Sequence, residues 1–178
     1  MPAMPEGATE GILKGIYKFK AGKQKKDSHK VQLFGSGSIL REALRAQEIL
    51  SDRFNVTADV WSVTSYKELR REALETQRWN MLHPTSRPRK PYITASLEKA
   101  DGPVVAASDY MKILPDMIRP WVPQELVALG TDGFGRSDTR EGLRRHFEVD
   151  AECIAVAALY ALSGEGKVEK EIVEKAIQ

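Results

Sequence analysis

The 178-residue sequence predicts a single three-layer α/β/α domain of about five strands, mostly parallel with one antiparallel edge strand. Three observations predict it. From residue 31 onward, apolar runs of strand length alternate with stretches of helical periodicity. The runs at 103–107 and 126–129 are short and continuously apolar, as strands buried on both faces are. One earlier segment, Ile16-Tyr17-Lys18-Phe19-Lys20, alternates instead, and a polar loop rather than a helix follows it.

Residues 1–9, with Pro2, Pro5 and no periodicity, read as a linker from something upstream, and residues 10–178 as the domain. The alternating strand and the next, Val31-Gln32-Leu33-Phe34, are expected to form an antiparallel pair at one sheet edge. Gly35-Ser36-Gly37-Ser38 then turns into a helix, with Ser38 as the expected N-cap and Leu40, Ala43, Leu44, Ala46, Gln47 and Leu50 as its stripe. Residues 56–63, rich in β-branched and aromatic types, predict the next strand, and Ser65 is placed to cap a helix reaching Trp79. Residues 92–97 fit either a helical turn or a short strand. Residues 111–122 predict a helix shortened or kinked by Pro115 and Pro120. After the strand at 126–129 come a glycine-rich turn, a helix at 140–147 capped by Asp138 or Thr139, an apolar helix at 151–162 and an amphipathic terminal stripe through Val168, Ile172, Val173, Ala176 and Ile177.

Composition excludes several functions. With 27 basic against 25 acidic residues the net charge is only +2, so no strong field steers a polyanion. Two basic clusters, one at Lys18, Lys20, Lys23, Lys25, Lys26, His29 and Lys30 and one at Arg87, Arg89 and Lys90, are expected to be solvated, and no nucleic-acid partner is expected. No apolar run reaches the roughly 20 residues of a membrane helix, so no membrane partner is expected. The single cysteine, Cys153, has apolar neighbours and no internal partner, which predicts a buried thiol in a reducing space such as the cytoplasm.

In a doubly wound sheet, ligands collect at the carboxyl ends of the strands, which directs attention to three loops. The first, Gly35, Ser36, Gly37 and Ser38, lacks the third glycine of a dinucleotide fingerprint, where this chain has Leu40. The third, Gly130-Thr131-Asp132-Gly133-Phe134-Gly135-Arg136-Ser137, has P-loop spacing with Arg136 in place of the lysine, and a planar guanidinium does not replace a slim ammonium. Asp109 in the second loop and Asp132 in the third are placed to orient a ligand or fix a turn. The histidines His29, His83 and His146 do not share metal-ligand spacing, so no metal or catalytic residue is assigned. The tryptophans Trp61, Trp79 and Trp121 read as core or interface anchors. What remains is an anion-binding, ligand-binding or interface role for Gly35, Ser36, Gly37, Ser38, Asp109, Asp132, Gly133, Phe134, Gly135, Arg136 and Ser137.

Several segments, in order along nearly the whole chain, resemble the C-terminal domain of the homodimeric, thiamine-diphosphate-dependent pyruvate dehydrogenase E1 family. They are the entry Met1-Pro2-Ala3-Met4-Pro5-Glu6-Gly7, Leu33-Phe34-Gly35-Ser36-Gly37-Ser38-Ile39-Leu40, Asp59-Val60-Trp61-Ser62-Val63, Arg78-Trp79-Asn80-Met81-Leu82-His83-Pro84, Ala107-Ser108-Asp109-Tyr110-Met111-Lys112, and the stretch from Leu129 to Asp150. Asp132-x-Phe134-Gly135-x-Ser137 is similar to a motif shared with transketolases, whereas the Arg78 to Pro84 segment and the entry are particular to E1. The resemblance implies a transketolase C-terminal-like fold within a three-domain, homodimeric enzyme. That enzyme uses thiamine diphosphate and Mg²⁺ to decarboxylate pyruvate and passes the acetyl unit to the lipoyl group of its E2 acyltransferase partner. It also implies that the diphosphate and metal are held by the N-terminal domain, and that the glutamate activating the cofactor comes from the middle domain. The family's G-D-G metal motif is absent here. The expectation is therefore a structural, dimer-supporting domain, inactive alone, without its own cofactor, whose partners are the upstream E1 domains and the second E1 subunit. The alternative is a regulatory module that uses the glycine loops to hold an anion or ligand.

Overall fold

A computed structural model describes residues 4–178. Met1, Pro2 and Ala3 of the expected linker and entry motif lie outside the described residues. Ala8 is already buried, and α1 (Thr9–Lys14) follows it directly, closed by Gly15 in the left-handed region.

The sheet contains β1 (Ile16–Lys20), β2 (His29–Ser36), β3 (Val56–Val63), β4 (Val104–Ala107) and β5 (Leu126–Leu129) in the order β1-β3-β2-β4-β5. The four later strands are parallel, and β1 is the antiparallel edge. The expected pairing of β1 with β2 is wrong: β1 pairs with β3, Ile16 opposite Val63 and Lys18 opposite Trp61. The reason lies in burial. Val31 to Gly35 of β2 are buried on both faces, so β2 needs a strand on each side and a layer above and below. β1 alternates buried and open positions and carries two lysines, which suits an edge. Lys18 Nζ lies 2.6 Å from Asp59 Oδ2 of β3, and the Gly22 amide donates to Asp59 Oδ1 at 2.8 Å, which ties β1 and its loop to that neighbour.

Alternate residues of β2 feed two cores. Val31 and Leu33, with Val60 and Val105, pack under α2 (Leu40–Phe54) and α7 (Ala151–Gly164). Phe34, with Trp61 and Val104, packs under α3 (Tyr66–Leu82) and α4 (Tyr92–Leu97). Burying about 2 kcal/mol worth of each such side chain from both layers makes β2 the centre of the domain. Its buried Gln32 is satisfied at both ends, donating to Asp101 O at 2.7 Å and accepting from Trp61 Nε1 at 2.9 Å.

Local chemistry sets the remaining elements. Ser65 accepts from the Glu68 amide and caps α3 as expected. Residues 92–97, open between helix and strand in sequence, are helical because Pro91 opens the turn and the Glu72 carboxylate accepts from the Tyr92 amide at 2.8 Å. The proline-bearing stretch resolves into α5 (Ile113–Asp116) and a 3₁₀ turn at Arg119–Trp121. Thr139 caps α6 (Arg140–His146), and Asp150 caps α7; α8 (Lys170–Ile177) closes the chain.

Gly102 marks the tightest approach to β2. It holds φ +81°, and a Cβ there would stand 1.8 Å from Lys30 O. Gly102→Ala is expected to destabilise the protein by about 3 kcal/mol, seen as a lower urea midpoint with unchanged slope.

Candidate functional site

The three loops predicted from sequence do converge at the carboxyl ends of the parallel strands. Gly35 and Ser36 end β2, Gly37 and Ser38 open the turn into α2, Asp109 follows β4, and Asp132 to Ser137 follow β5. Together with α6 they enclose a cleft of about 460 Å³ lined by Ser38, Asp109, Thr131, Phe134, Arg136 and Arg144 among others.

Several polar groups of that cleft bond to one another. Ser38 Oγ donates to Asp109 Oδ2 at 3.2 Å and accepts from Arg144 Nη2 at 3.3 Å. Ser38 is therefore not the N-cap of α2; Ile39 occupies that position without a side-chain bond, because Gly37–Ile39 form a 3₁₀ turn that leads into the helix. The Asp109 carboxylate lies beside Ser38 in the turn that leads into α2. Gly35 serves packing, since a Cβ there would lie 2.6 Å from Leu40 Cα.

The β5 loop is organised in the same way. Asp132 Oδ1 accepts from the Lys112 amide at 2.9 Å, Thr131 Oγ1 donates to Asp109 O at 3.0 Å, and the Thr131 amide donates to Tyr110 O at 2.8 Å. Asp138 accepts from the Thr139 amide, and Thr139 as N-cap accepts from the Gly142 amide of α6. Gly133, at φ +94°, Phe134, Gly135, Arg136 and Ser137 are exposed. The carboxylates at this end, Asp109, Asp132 and Asp138, thus hold the Ser38 hydroxyl and the Lys112 and Thr139 amides.

Sequence reasoning missed the strongest charge arrangement at this end. Glu42, 4% exposed on α2, receives Arg144 of α6 at 2.7 Å on one oxygen and Arg45 at 3.3 Å on the other. Glu42 and Arg144 stand 102 residues apart, and nothing local to either announces the pair. Among the described residues no group of three or more His, Cys, Asp or Glu is arranged to hold a metal ion. Cys153 is half-buried rather than enclosed as expected, and burial, with the Asp150 hydrogen bond, pushes its thiol up to about 12. A thiol that stays protonated at neutral pH is not a nucleophile.

Three outcomes follow from this geometry. Arg144→Met is expected to cost about 2–3 kcal/mol in urea denaturation, because it leaves Glu42 buried with Arg45 alone. Millimolar phosphate is expected to leave the thermal midpoint unchanged. Alkylation of Cys153 by iodoacetamide at pH 8 is expected to be about a thousandfold slower in the native protein than in urea, since the thiolate fraction falls as the thiol pKa rises.

Comparison with known proteins gives this end of the sheet its context. Over 178 residues the sequence is 53% identical to the pyruvate dehydrogenase E1 component of Escherichia coli (strain K12), covering 99% of this chain and 20% of that protein. The corresponding protein of Pseudomonas aeruginosa is 51% identical over 99% of this chain and 20% of its own length, and that of Mycolicibacterium smegmatis 43% identical over 99% and 19%. The chain thus spans about a fifth of the length of these relatives. Among solved structures, a transketolase from Pichia stipitis superposes with TM-score 0.59 at 18% identity, over 95% of this chain and 21% of the other. One from Leishmania mexicana gives 0.54 at 18% identity, over 90% and 20%. Residues 15–150 match the family described as the transketolase-like TK C-terminal domain, and the chain belongs to that family.

Proposed function

We propose that this chain is the C-terminal structural domain of a full-length pyruvate dehydrogenase E1, where it supports the homodimer and the domains that carry the chemistry. The observation that carries the reading is identity of 43–53% to E1 components over 99% of the chain. The full-length enzyme decarboxylates pyruvate with thiamine diphosphate and Mg²⁺ and passes the acetyl unit to the lipoyl group of its E2 partner. The cofactor, when bound, stabilises the carbanion. The residues of this chain do not fit that cofactor: the carboxylates at the sheet end, Asp109, Asp132 and Asp138, hold Ser38 and backbone amides, and Arg144 is paired with Glu42. The chain accordingly contributes no cofactor ligand and is inactive alone.

Among the described residues no helix is long and apolar enough to cross a membrane. With one cysteine and no disulfide, the domain suits the reducing cytoplasm.

Pyruvate turnover with E2 and lipoyl acceptor, measured for the full-length enzyme and for one truncated before residue 10, tests the proposal. Full-length activity is expected, with loss of both dimer and turnover on truncation. A truncated enzyme that remained dimeric and active would overturn the structural role.

A further inference from the structure

α3 buries Tyr66, Leu69, Ala73 and Thr76 and leaves an exposed side that is divided by charge. Lys67, Arg70, Leu74, Arg78 and Met81 follow one another at intervals of three or four residues, so they line one side of the helix, with Leu82 beside Met81. All six are exposed, Met81 by 70% and Leu82 by 52%. The acidic residues of α3 run along a different line. Glu68 and Glu75 both pair with Arg71, and Glu72 accepts from the Tyr92 amide and the Thr76 hydroxyl. Among the described residues, Lys67, Arg70 and Arg78 have no ion-pair partner. The first line is therefore a basic and apolar strip without a carboxylate.

The far end of the strip is braced. The Trp79 ring carries the His83 ring stacked at 4.3 Å and the Arg89 guanidinium at 3.7 Å. The Asn80 side chain accepts from the Arg89 amide at 2.8 Å and donates to the Arg89 carbonyl at 2.9 Å. These contacts fold the chain after α3 back onto its last turn, where Met81 and Leu82 complete the helix. From residue 76 to residue 97 the sequence has no acidic residue, so this segment brings no negative charge to the strip. A face ordered before contact loses less conformational freedom when it binds.

We infer that this strip of α3 docks an acidic segment of a separate protein chain, one that presents carboxylates to Lys67, Arg70 and Arg78 and apolar side chains to Leu74, Met81 and Leu82. Charge complementarity selects the occupant. A second copy meeting the same face about a twofold axis would set arginine against arginine. A permanent interface with the rest of a larger enzyme is depleted in charge at its core, whereas unpaired cations set among apolar side chains suit a partner bound reversibly and weakened by salt. A membrane surface takes a broader apolar face with aromatic anchors, and this strip has no aromatic residue. A single-stranded nucleic acid takes free aromatic faces and a basic field, but the Trp79 ring is already engaged and the net charge is only +2.

Fluorescence anisotropy with a labelled helical peptide, built with Glu and Leu at intervals of three and four residues, tests the strip on the full-length enzyme and on the 178-residue chain. Both are expected to bind the peptide, and affinity is expected to fall about tenfold when each Glu of the peptide is replaced by Gln. Arg70→Glu with Arg78→Glu is expected to weaken binding about tenfold without moving the melting temperature, and Leu74→Ser with Met81→Ser, which keeps every charge, about fivefold. Lys23→Glu with Lys26→Glu, in the loop between β1 and β2, is expected to change nothing. An equal loss from that loop variant, or none from the α3 variants, would show that overall charge binds the peptide and would overturn the inference. Binding by the chain but not by the full-length enzyme would mean that the assembly already covers the strip, and would overturn it too. So would tighter binding to vesicles of phosphatidylcholine and phosphatidylserine than to the peptide, or a concentration-dependent dimer of the chain that Arg78→Glu dissolves. Pyruvate turnover has no part in this readout, so failure of the E1 reading leaves the inference standing.

Discussion

A strand with no face toward solvent dictates the rest of this domain. Because Val31, Leu33 and Phe34 are all buried, β2 must lie between two strands and between two layers of helices. Parallel neighbours on both sides then require helical crossovers, and the crossovers supply the layers that the strand needs. Gly102 and Gln32 are the local conditions of this arrangement: one lets the chain pass against Lys30, and the other satisfies the buried indole of Trp61.

The same topology gathers three loops at one end of the sheet, the place where α/β domains commonly bind ligands. Here the geometry is used otherwise. Asp109 accepts from the Ser38 hydroxyl, Asp132 ties the β4 and β5 loops together, and Asp138 holds the amide of Thr139, which caps α6 through the Gly142 amide. These three carboxylates are engaged within the chain, while Arg136, Ser137, Phe134, Tyr110 and Met111 are exposed.

Much of this was legible in the sequence because the relevant signals are local. Alternation, short apolar runs and helical stripes located all five strands and the principal helices, Ser65 announced its cap, and the α6 cap was narrowed to Asp138 or Thr139, of which Thr139 holds the Gly142 amide. Segment-by-segment resemblance, with Arg78 to Pro84 and the glycine loop in order, identified the family. The failures concern pairings between distant residues. Adjacency in sequence suggested that β1 pairs with β2, whereas burial of β2 and the Lys18–Asp59 contact place β1 against β3. Ser38 looked like a cap because serine before a helical stripe usually is one, but Asp109 in the loop after β4 and Arg144 on α6 claim its hydroxyl from over 70 residues away. Glu42 and Arg144 carried no mutual signal at all, and Phe134 gave no sign of whether its ring would be inside or out.

The central claim is that a stable transketolase-like C-terminal domain folds with its sheet-end carboxylates Asp109, Asp132 and Asp138 engaged within the chain and does not hold the cofactor of the full-length enzyme. Calorimetric titration of thiamine diphosphate with Mg²⁺ into the folded 178-residue chain, with the full-length dimer as control, tests it most directly. The account predicts binding heat for the dimer and none for the chain. Saturable binding to the chain alone would contradict it and would place cofactor ligands among the residues around Asp109 and the β5 loop.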